Sequence, residues 1–128
     1  MDKKSAWIYC RIDAPEDVHG ALKGQYERLE TYAAQMGFTV VGSSQDLGSG
    51  LNFDRPGLQT VLEAAKAGSF QILLVDSVSR IGRDMTKTVN FIQTISDCGI
   101  SIYSPMEGEI KPSDFMMPPF QFGQEGLL

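Results

Sequence analysis

The sequence is poor in the residues that build disulfide frameworks and metal sites. Its 128 residues include only two cysteines and one histidine. Cys10 and Cys98 both fall in apolar segments, where free cysteines are usually buried, so neither a disulfide framework nor a zinc site is indicated. His19 has no cysteine or second histidine nearby and is typical of a polar residue at a helix start. We therefore expect no metal and no cofactor.

The chain also lacks long apolar runs and an excess of positive charge. No apolar segment approaches the roughly 20 residues that a membrane-spanning helix needs, and no signal-peptide core follows the first residues. Lysine and arginine number 11 against 16 acidic residues, for a formal net charge of −5. Because nucleic-acid footprints are built from clustered Lys and Arg, any contact with DNA must be local. These features predict a cytoplasmic protein that does not associate with membranes.

What is present is the composition of one globular domain, with 42% apolar and 21% charged residues. Short apolar runs at residues 6–12, 38–41, 70–75 and 100–103 read as strands. Between them, apolar residues recur at helical spacing in segments that begin near Leu22, Pro56 and Met85. This alternation predicts an α/β fold with three layers, in which helices flank a central, largely parallel sheet of four to five strands.

Three segments lack such periodicity. Residues 43–54 are rich in Gly, Ser, Asn and Asp and predict a mobile loop, and residues 77–83 read as a polar turn. Beyond Met106, prolines at 112, 118 and 119 interrupt any helix. We expect a domain over residues 1–108 and an irregular tail over 109–128.

Charged residues gather where the predicted strands end, which is where open α/β sheets carry their sites. These residues are Arg11, Asp13, Asp46, Asp76, Arg80 and Arg83, with Arg55 at the end of the predicted loop. Four of the five arginines are in this set, which suits bidentate recognition of a phosphate. Taken singly, each arginine also fits a surface role, and Asp46 and Asp76 also fit turn or capping roles.

A series of short motifs runs through residues 6–108. It comprises Ile8-Tyr-Cys-Arg-Ile12, Gln25 with Leu29 and Tyr32-Ala33, Asp46-Leu-Gly-Ser-Gly50, Asp54-Arg-Pro-Gly-Leu-Gln59, Ala64-Ala-Lys-Ala-Gly-Ser-Phe70, Ser79-Arg-Ile-Gly-Arg-Asp84, and Ser104-Pro105 before Glu107-Gly108. In order and spacing, the series resembles the catalytic domain of serine site-specific recombinases of the resolvase/invertase type.

The resemblance implies metal-free phosphoryl transfer, in which a serine hydroxyl attacks a DNA phosphodiester and forms a phosphoserine link. It implies that Arg11, Arg55, Arg80 and Arg83 hold the scissile phosphate in place of metal ions. Supporting roles would fall to Gln25, Asp46, Asp76 and Ser79. The implied partners are DNA, only weakly for this chain alone, and either further copies of the chain or a larger, intact recombinase subunit.

The sequence departs from the family at two places. Asp13 stands where the family has its nucleophilic serine, and no serine or threonine lies between Ser5 and Thr31. A carboxylate there would repel the DNA phosphate, so we expect Asp13 to pair with Arg11, Arg80 or Arg83 instead. Residues 116–119, Met-Met-Pro-Pro, stand where the family has a long helix for the dimer interface and DNA. A catalytically impaired recombinase domain is therefore the preferred interpretation.

Two alternatives stay open. The chain could cleave DNA through another hydroxyl (Ser43, Ser44, Ser49 or Ser79) or together with an intact partner. It could instead be a phospho-accepting or anion-binding domain similar to a response-regulator receiver, with Asp13 and Asp76 as its acids. A receiver would need a lysine after a late strand, whereas Lys111 falls in the predicted tail, and its carboxylates would bind Mg²⁺.

Overall fold

A computed structural model describes residues 3–12, 20–48 and 55–115. Its five strands are β1 Ser5–Ile12, β2 Thr39–Leu47, β3 Ile72–Leu74, β4 Ser101–Ser104 and β5 Gly108–Ile110. They form one sheet in the order β2-β1-β3-β4-β5, in which β1 to β4 are parallel and β5 is antiparallel to β4. The helices are α1 Ala21–Met36, α2 Pro56–Lys66, α3 Val78–Ile81 and α4 Met85–Asp97, and a 3₁₀ turn spans Pro112–Phe115. The predicted α/β fold with a largely parallel sheet is confirmed.

The helices cover both faces of the sheet, and each face has its own apolar cluster. On one face α1 packs Leu29 and Ala33 against strand residues such as Ile8. On the other face α2 and α4 pack residues such as Val61 and Ile92 against the central strands. Burial on both faces explains the unbroken apolar run around β3. Each fully buried Leu or Ile side chain contributes about 1.5 to 3 kcal/mol, so this double burial holds the strand ends in place.

The second strand is longer than the sequence predicts. It continues to Leu47, and Ser43 and Leu47 pair with Ile8 and Ile12 of β1. The predicted loop is therefore wrong for residues 43–47, while residues 49–54 lie outside the described part of the chain. Because β2 is an edge strand with mostly exposed side chains, its backbone pairing does not require the apolar alternation by which strands are recognised.

Two further elements occupy segments that read as irregular. The helix α3 replaces much of the predicted polar turn at residues 77–83, and β5 lies beyond Met106, where no regular structure is predicted. Ile110 of β5 is buried, and Phe115 packs against the same core cluster. Regular structure thus continues past residue 108, up to residue 115, and residues 116–128 are not among those described.

Candidate functional site

The carboxyl ends of the parallel strands bring several predicted site residues to one edge of the sheet. Arg11 lies near the end of β1, Asp46 near the end of β2, and Asp76 follows β3. The short helix α3, which carries Ser79 and Arg80, begins two residues after Asp76. This is the edge at which ligand sites of open α/β sheets form.

Arg11 is fully buried and is held by backbone carbonyl groups. Its Nε donates to the carbonyl of Arg80 at 3.1 Å, its Nη2 to that of Ser79 at 3.0 Å, and its Nη1 to that of Gly48 at 2.6 Å. These bonds use three of the five N–H groups of the guanidinium and offset the cost of burying its charge. Arg11 therefore joins the end of β1 to α3 and to the residue after β2.

Gln25 of α1 fixes the backbone of Arg11. Its Oε1 accepts from the Arg11 N–H at 3.1 Å, and its Nε2 donates to the Arg11 carbonyl at 3.3 Å. The backbone pairing of β1 with β3 ends at Ile8 and Leu74, so the Gln25 amide takes the place that a neighbouring strand would occupy. Gln25 thus fixes the backbone two residues before position 13, and its supporting role in a phosphate site stays a prediction.

Arg55 and Asp46 belong to a buried chain of hydrogen bonds. Arg55 donates from Nη1 to the Tyr9 hydroxyl at 3.0 Å and from Nη2 to the carbonyl of Ile81. The Tyr9 hydroxyl in turn donates to Asp46 Oδ2 at 2.7 Å. Burial raises the pKa of Tyr9 above its usual range and lowers the pKa of the Arg55 guanidinium. Arg11 and Arg55 both donate to backbone carbonyl groups of α3, and both are buried.

Asp46 also caps α2 from outside the helix. Its two carboxylate oxygens accept from the N–H groups of Gly57 and Leu58 at 2.8 and 2.9 Å. A Cβ atom on Gly57 would lie 2.5 Å from the carbonyl oxygen of Gln45 and 2.8 Å from Asp46 Oδ2. Glycine is therefore what allows the N-terminus of α2 to approach β2 closely enough to be capped.

Arg80 and Arg83 are the more accessible members of the predicted arginine set. Arg80 is half-buried, and no hydrogen bond or ion pair holds its side chain within the described residues, whereas Arg83 is exposed. Ser79 is exposed, and its hydroxyl lies 2.7 Å from that of Ser77. The structure thus separates the predicted arginines into two buried members and two that are more accessible.

Asp76 does not pair with Arg80 of α3 but with Arg28 of α1, the arginine that the sequence-based prediction leaves out. Arg28 Nη2 lies 2.8 Å from Asp76 Oδ2, and this hydrogen bond raises the pKa of Arg28. The pair borders a cleft of about 450 Å³ that also includes Tyr32 and Pro105. Arg28 follows Gln25 by three residues, so helical spacing placed it on the same face of α1 as a predicted site residue.

Other predicted residues lie beyond the described structure or are distant from this edge. Asp13, Ser49 and His19 fall outside the described residues. Within residues 3–12, 20–48 and 55–115, no three His, Cys, Asp or Glu side chains lie together as metal ligands. No helix in those ranges is both long and apolar enough to cross a membrane. Sequence reasoning also missed the role of Glu107, whose motif it quoted without assigning a contact.

Comparisons with known proteins agree on one family. A family model described as the resolvase N-terminal domain matches residues 6–120. The N-terminal catalytic domain of TP901-1 integrase superposes with a TM-score of 0.73 at 26% identity over 82% of this chain and 79% of that one. The C-terminal catalytic domain of ISC1926 TnpA, an IS607-like serine recombinase, gives 0.73 at 27% identity over 78% and 69%. A resolvase family recombinase from Streptococcus pneumoniae gives 0.70 at 21% identity over 83% and 74%.

Proposed function

The chain belongs to the resolvase N-terminal domain family. We propose that it is a recombinase catalytic domain whose activity is impaired because Asp13 stands in place of the nucleophilic serine. Its fold is that of serine recombinase catalytic domains, a family associated with DNA recombination. In the proposal, the arginine-rich edge binds a phosphate of DNA, and Asp13 prevents the chain from forming a phosphoserine link with it. DNA and other recombinase subunits are the proposed partners.

One observation carries the proposal, which is that three arginines meet at α3. Arg80 lies on this helix, Arg11 donates to the carbonyl groups of Ser79 and Arg80, and Arg55 donates to that of Ile81. Three guanidinium groups at the carboxyl edge of a parallel sheet make that edge locally positive, which favours the binding of an anion such as phosphate. Phosphoryl transfer without metal ions requires such a cluster to stabilise the charge of the transferring group.

In this proposal the four arginines have two different roles in binding the phosphate. Arg80 and Arg83, the more accessible pair, contact the phosphate oxygens directly. Arg11 and Arg55 stay enclosed and contribute positive potential from behind α3, where the low dielectric strengthens their effect. This division refines the expectation that all four guanidinium groups hold the phosphate.

Asp13 accounts for the proposed impairment. A serine hydroxyl loses its proton and bonds to phosphorus while the bond from phosphorus to the 3′ oxygen of DNA breaks and that oxygen is protonated. A carboxylate beside a phosphodiester is instead a like charge. At about 4 Å two such charges repel by roughly 1 kcal/mol in water and by about 4 kcal/mol near a protein surface. The Asp13 carboxylate therefore opposes both the approach of DNA and the chemical step.

Other hydroxyl groups give a specific alternative to test. Ser44 is engaged, because its hydroxyl accepts from Trp7 Nε1 and donates to the carbonyl of Gly57. Ser79 is exposed and precedes Arg80 in the sequence, so its hydroxyl is the one that the experiment below removes. The receiver-like alternative has less support, since Asp76 is paired with Arg28 and β5 is antiparallel.

A DNA cleavage assay tests the proposal. The chain, Asp13→Ser, Asp13→Ser with Arg80→Ala, and Ser79→Ala are each incubated with supercoiled plasmid carrying random inserts, and covalent protein–DNA adducts are resolved on a denaturing gel. We expect an adduct only with Asp13→Ser and its loss when Arg80→Ala is added. Asp13→Ser with Arg28→Ala is the matched control and should retain the adduct, because Arg28 lies outside the cluster at α3.

Two results would contradict the proposal in different ways. An adduct formed by the unmodified chain and abolished by Ser79→Ala would mean that Ser79 is the nucleophile. If Asp13→Ser gives no adduct with plasmid, even when an intact serine recombinase is added as a partner, the arginine-rich edge does not serve strand cleavage.

A further inference from the structure

The helix α3 has only four residues, too few to be stable without partners. Its carbonyl groups are satisfied from one side, by Arg11 at Ser79 and Arg80 and by Arg55 at Ile81. The N–H groups at the start of a helix also need acceptors. What holds the N-terminus of α3 therefore decides where Arg80 lies and how Arg11 and Arg55 are held.

The acceptor comes from another part of the chain. The N–H of Val78, the first residue of α3, donates to both carboxylate oxygens of Glu107, at 3.1 and 3.3 Å. Ser77, at the position that normally caps a helix, makes no capping bond, and its hydroxyl pairs with that of Ser79 instead. A carboxylate at a helix N-terminus is stabilised by the aligned peptide dipoles, so Glu107 replaces the usual cap.

Glu107 is itself fixed by the sheet. Its N–H donates to the hydroxyl of Ser104 at 2.8 Å, and the same hydroxyl forms a short hydrogen bond with Glu107 Oε1. Ser104 is the last residue of β4 and is fully buried. Glu107 is exposed to solvent, but its bond to the buried Ser104 fixes the position of its carboxylate. It is thus a built contact between the β4–β5 turn and α3.

We propose that Glu107 is a positioning residue for the arginine site. By capping α3 it fixes the helix that bears Arg80 and whose carbonyl groups hold Arg11 and Arg55. Its consequence for phosphate binding rests on the function proposed above, whereas its effect on α3 does not. Glu107 contacts neither the phosphate nor any arginine side chain in this role and acts only through the helix.

The sign of the effect on DNA binding separates positioning from general electrostatics. Removing an acidic side chain from a chain of net charge −5 should favour binding to DNA, whose phosphates repel acids. If Glu107 positions the arginines, its removal weakens binding instead. Glu109 offers a matched control, because it is exposed, lies two residues further along on β5 and carries the same charge.

Two measurements on the full chain test the proposal. Hydrogen exchange by NMR follows the Val78 amide and the Arg11 Nε–H, and fluorescence anisotropy follows binding to a labelled duplex DNA at constant salt. For Glu107→Ala we expect faster exchange at both groups and affinity reduced at least about fivefold, which is the lower end of typical coupling between sites. Glu107→Gln, which keeps one acceptor oxygen, should fall in between. Glu109→Gln should leave exchange unchanged and affinity equal or slightly higher.

The outcomes distinguish this proposal from the proposed function. If Glu107→Ala keeps the exchange rates of the unmodified chain and binds DNA as Glu109→Gln does, positioning by Glu107 is wrong. A different outcome is that neither the unmodified chain nor any variant binds DNA, while hydrogen exchange at Val78 and Arg11 is faster only in the Glu107 variants. In that case the proposed function is wrong and the positioning of α3 by Glu107 stands. Should Glu107→Ala fold poorly, Ser104→Ala tests the same contact without a charge change and should show faster exchange at Val78.

Discussion

Two helices of this domain are capped by carboxylates from outside their own N-termini, and the two caps differ in burial. Asp46 of β2 caps α2 and is 7% exposed, in contact with the buried Tyr9 hydroxyl. Glu107 of the β4–β5 turn caps α3 and is exposed to solvent. Both replace a local cap, but only Asp46 sits where water cannot take over its bonds.

Because the two caps differ in burial, we expect the Asp46 cap to contribute to stability and the Glu107 cap to the position of its helix. Removing Asp46 leaves two backbone donors and the Tyr9 hydroxyl without their acceptor, close to the buried charge of Arg55. Removing Glu107 leaves one N–H that water can reach. Buried donors without acceptors cost far more than exposed ones, so the α2 cap stabilises the fold while the α3 cap mainly sets geometry.

Asp46→Ala is expected to have the largest effect on stability. Loss of an acceptor from a buried charged network costs about 3 to 5 kcal/mol, whereas Glu107→Ala should cost about 1 kcal/mol, as for an ordinary cap. Urea unfolding measures both, with Asp97→Ala, an exposed acid at the end of α4, as the control. Equal losses for Asp46→Ala and Glu107→Ala would break the distinction between the two caps.

A smaller effect is expected at Gly57, where α2 approaches β2. The added methyl group of Gly57→Ala would overlap the Gln45 carbonyl and Asp46, so we expect a loss of about 1 to 3 kcal/mol in urea unfolding. Gly24→Ala in α1 is the matched control: among the described residues its Cβ would meet only Arg28 Nη1, at 3.8 Å, and alanine favours a helix by up to about 1 kcal/mol. If Gly57→Ala is neutral, close approach is not what makes the α2 cap strong.

The smallest predicted effect is a difference in alkaline stability. Burial raises the pKa of Tyr9 in the folded state, so its contribution is complete below about pH 10, the usual tyrosine pKa, and is lost as pH rises above that value. In urea unfolding between about pH 9 and 11, the free energy of unfolding should fall less steeply with pH in Tyr9→Phe, by at most about 1.4 kcal/mol per pH unit. Glu107→Ala should leave the slope unchanged, because its cap contains no phenol. If stability still falls steeply with pH in Tyr9→Phe, another group causes the fall. Cys10 is such a group, because burial raises its pKa to about 12.

The elements with strong periodicity were the ones that the sequence predicted well. The three longer helices and the buried strands carry apolar residues at helical spacing or in unbroken runs, and all appear in the structure. The end of β2, α3 and β5 were missed for a shared reason. Each is polar or only three to four residues long, and each is held by bonds to distant parts of the chain, which local propensity does not encode.

The gathering of charged residues at one edge of the sheet was predictable from the sequence, but their arrangement there was not. Strand ends located Arg11, Arg80 and Asp46, because parallel strands end at one edge. The burial of Arg11 and Arg55 was not predictable, since arginine is mostly exposed and the carbonyl groups that hold these two belong to α3 and to Gly48. Residue types alone also could not pair Asp76 with Arg28.

The indole of Trp7 gives this domain an internal optical reporter. Trp7 is the single tryptophan, and its Nε1 donates to Ser44, whose hydroxyl donates to the carbonyl of Gly57 at the start of α2. Its emission therefore reports on the junction of β2 with α2. Intrinsic fluorescence should thus register damage to the Asp46 cap, because Ser44 and Asp46 both bond to Gly57 at the start of α2.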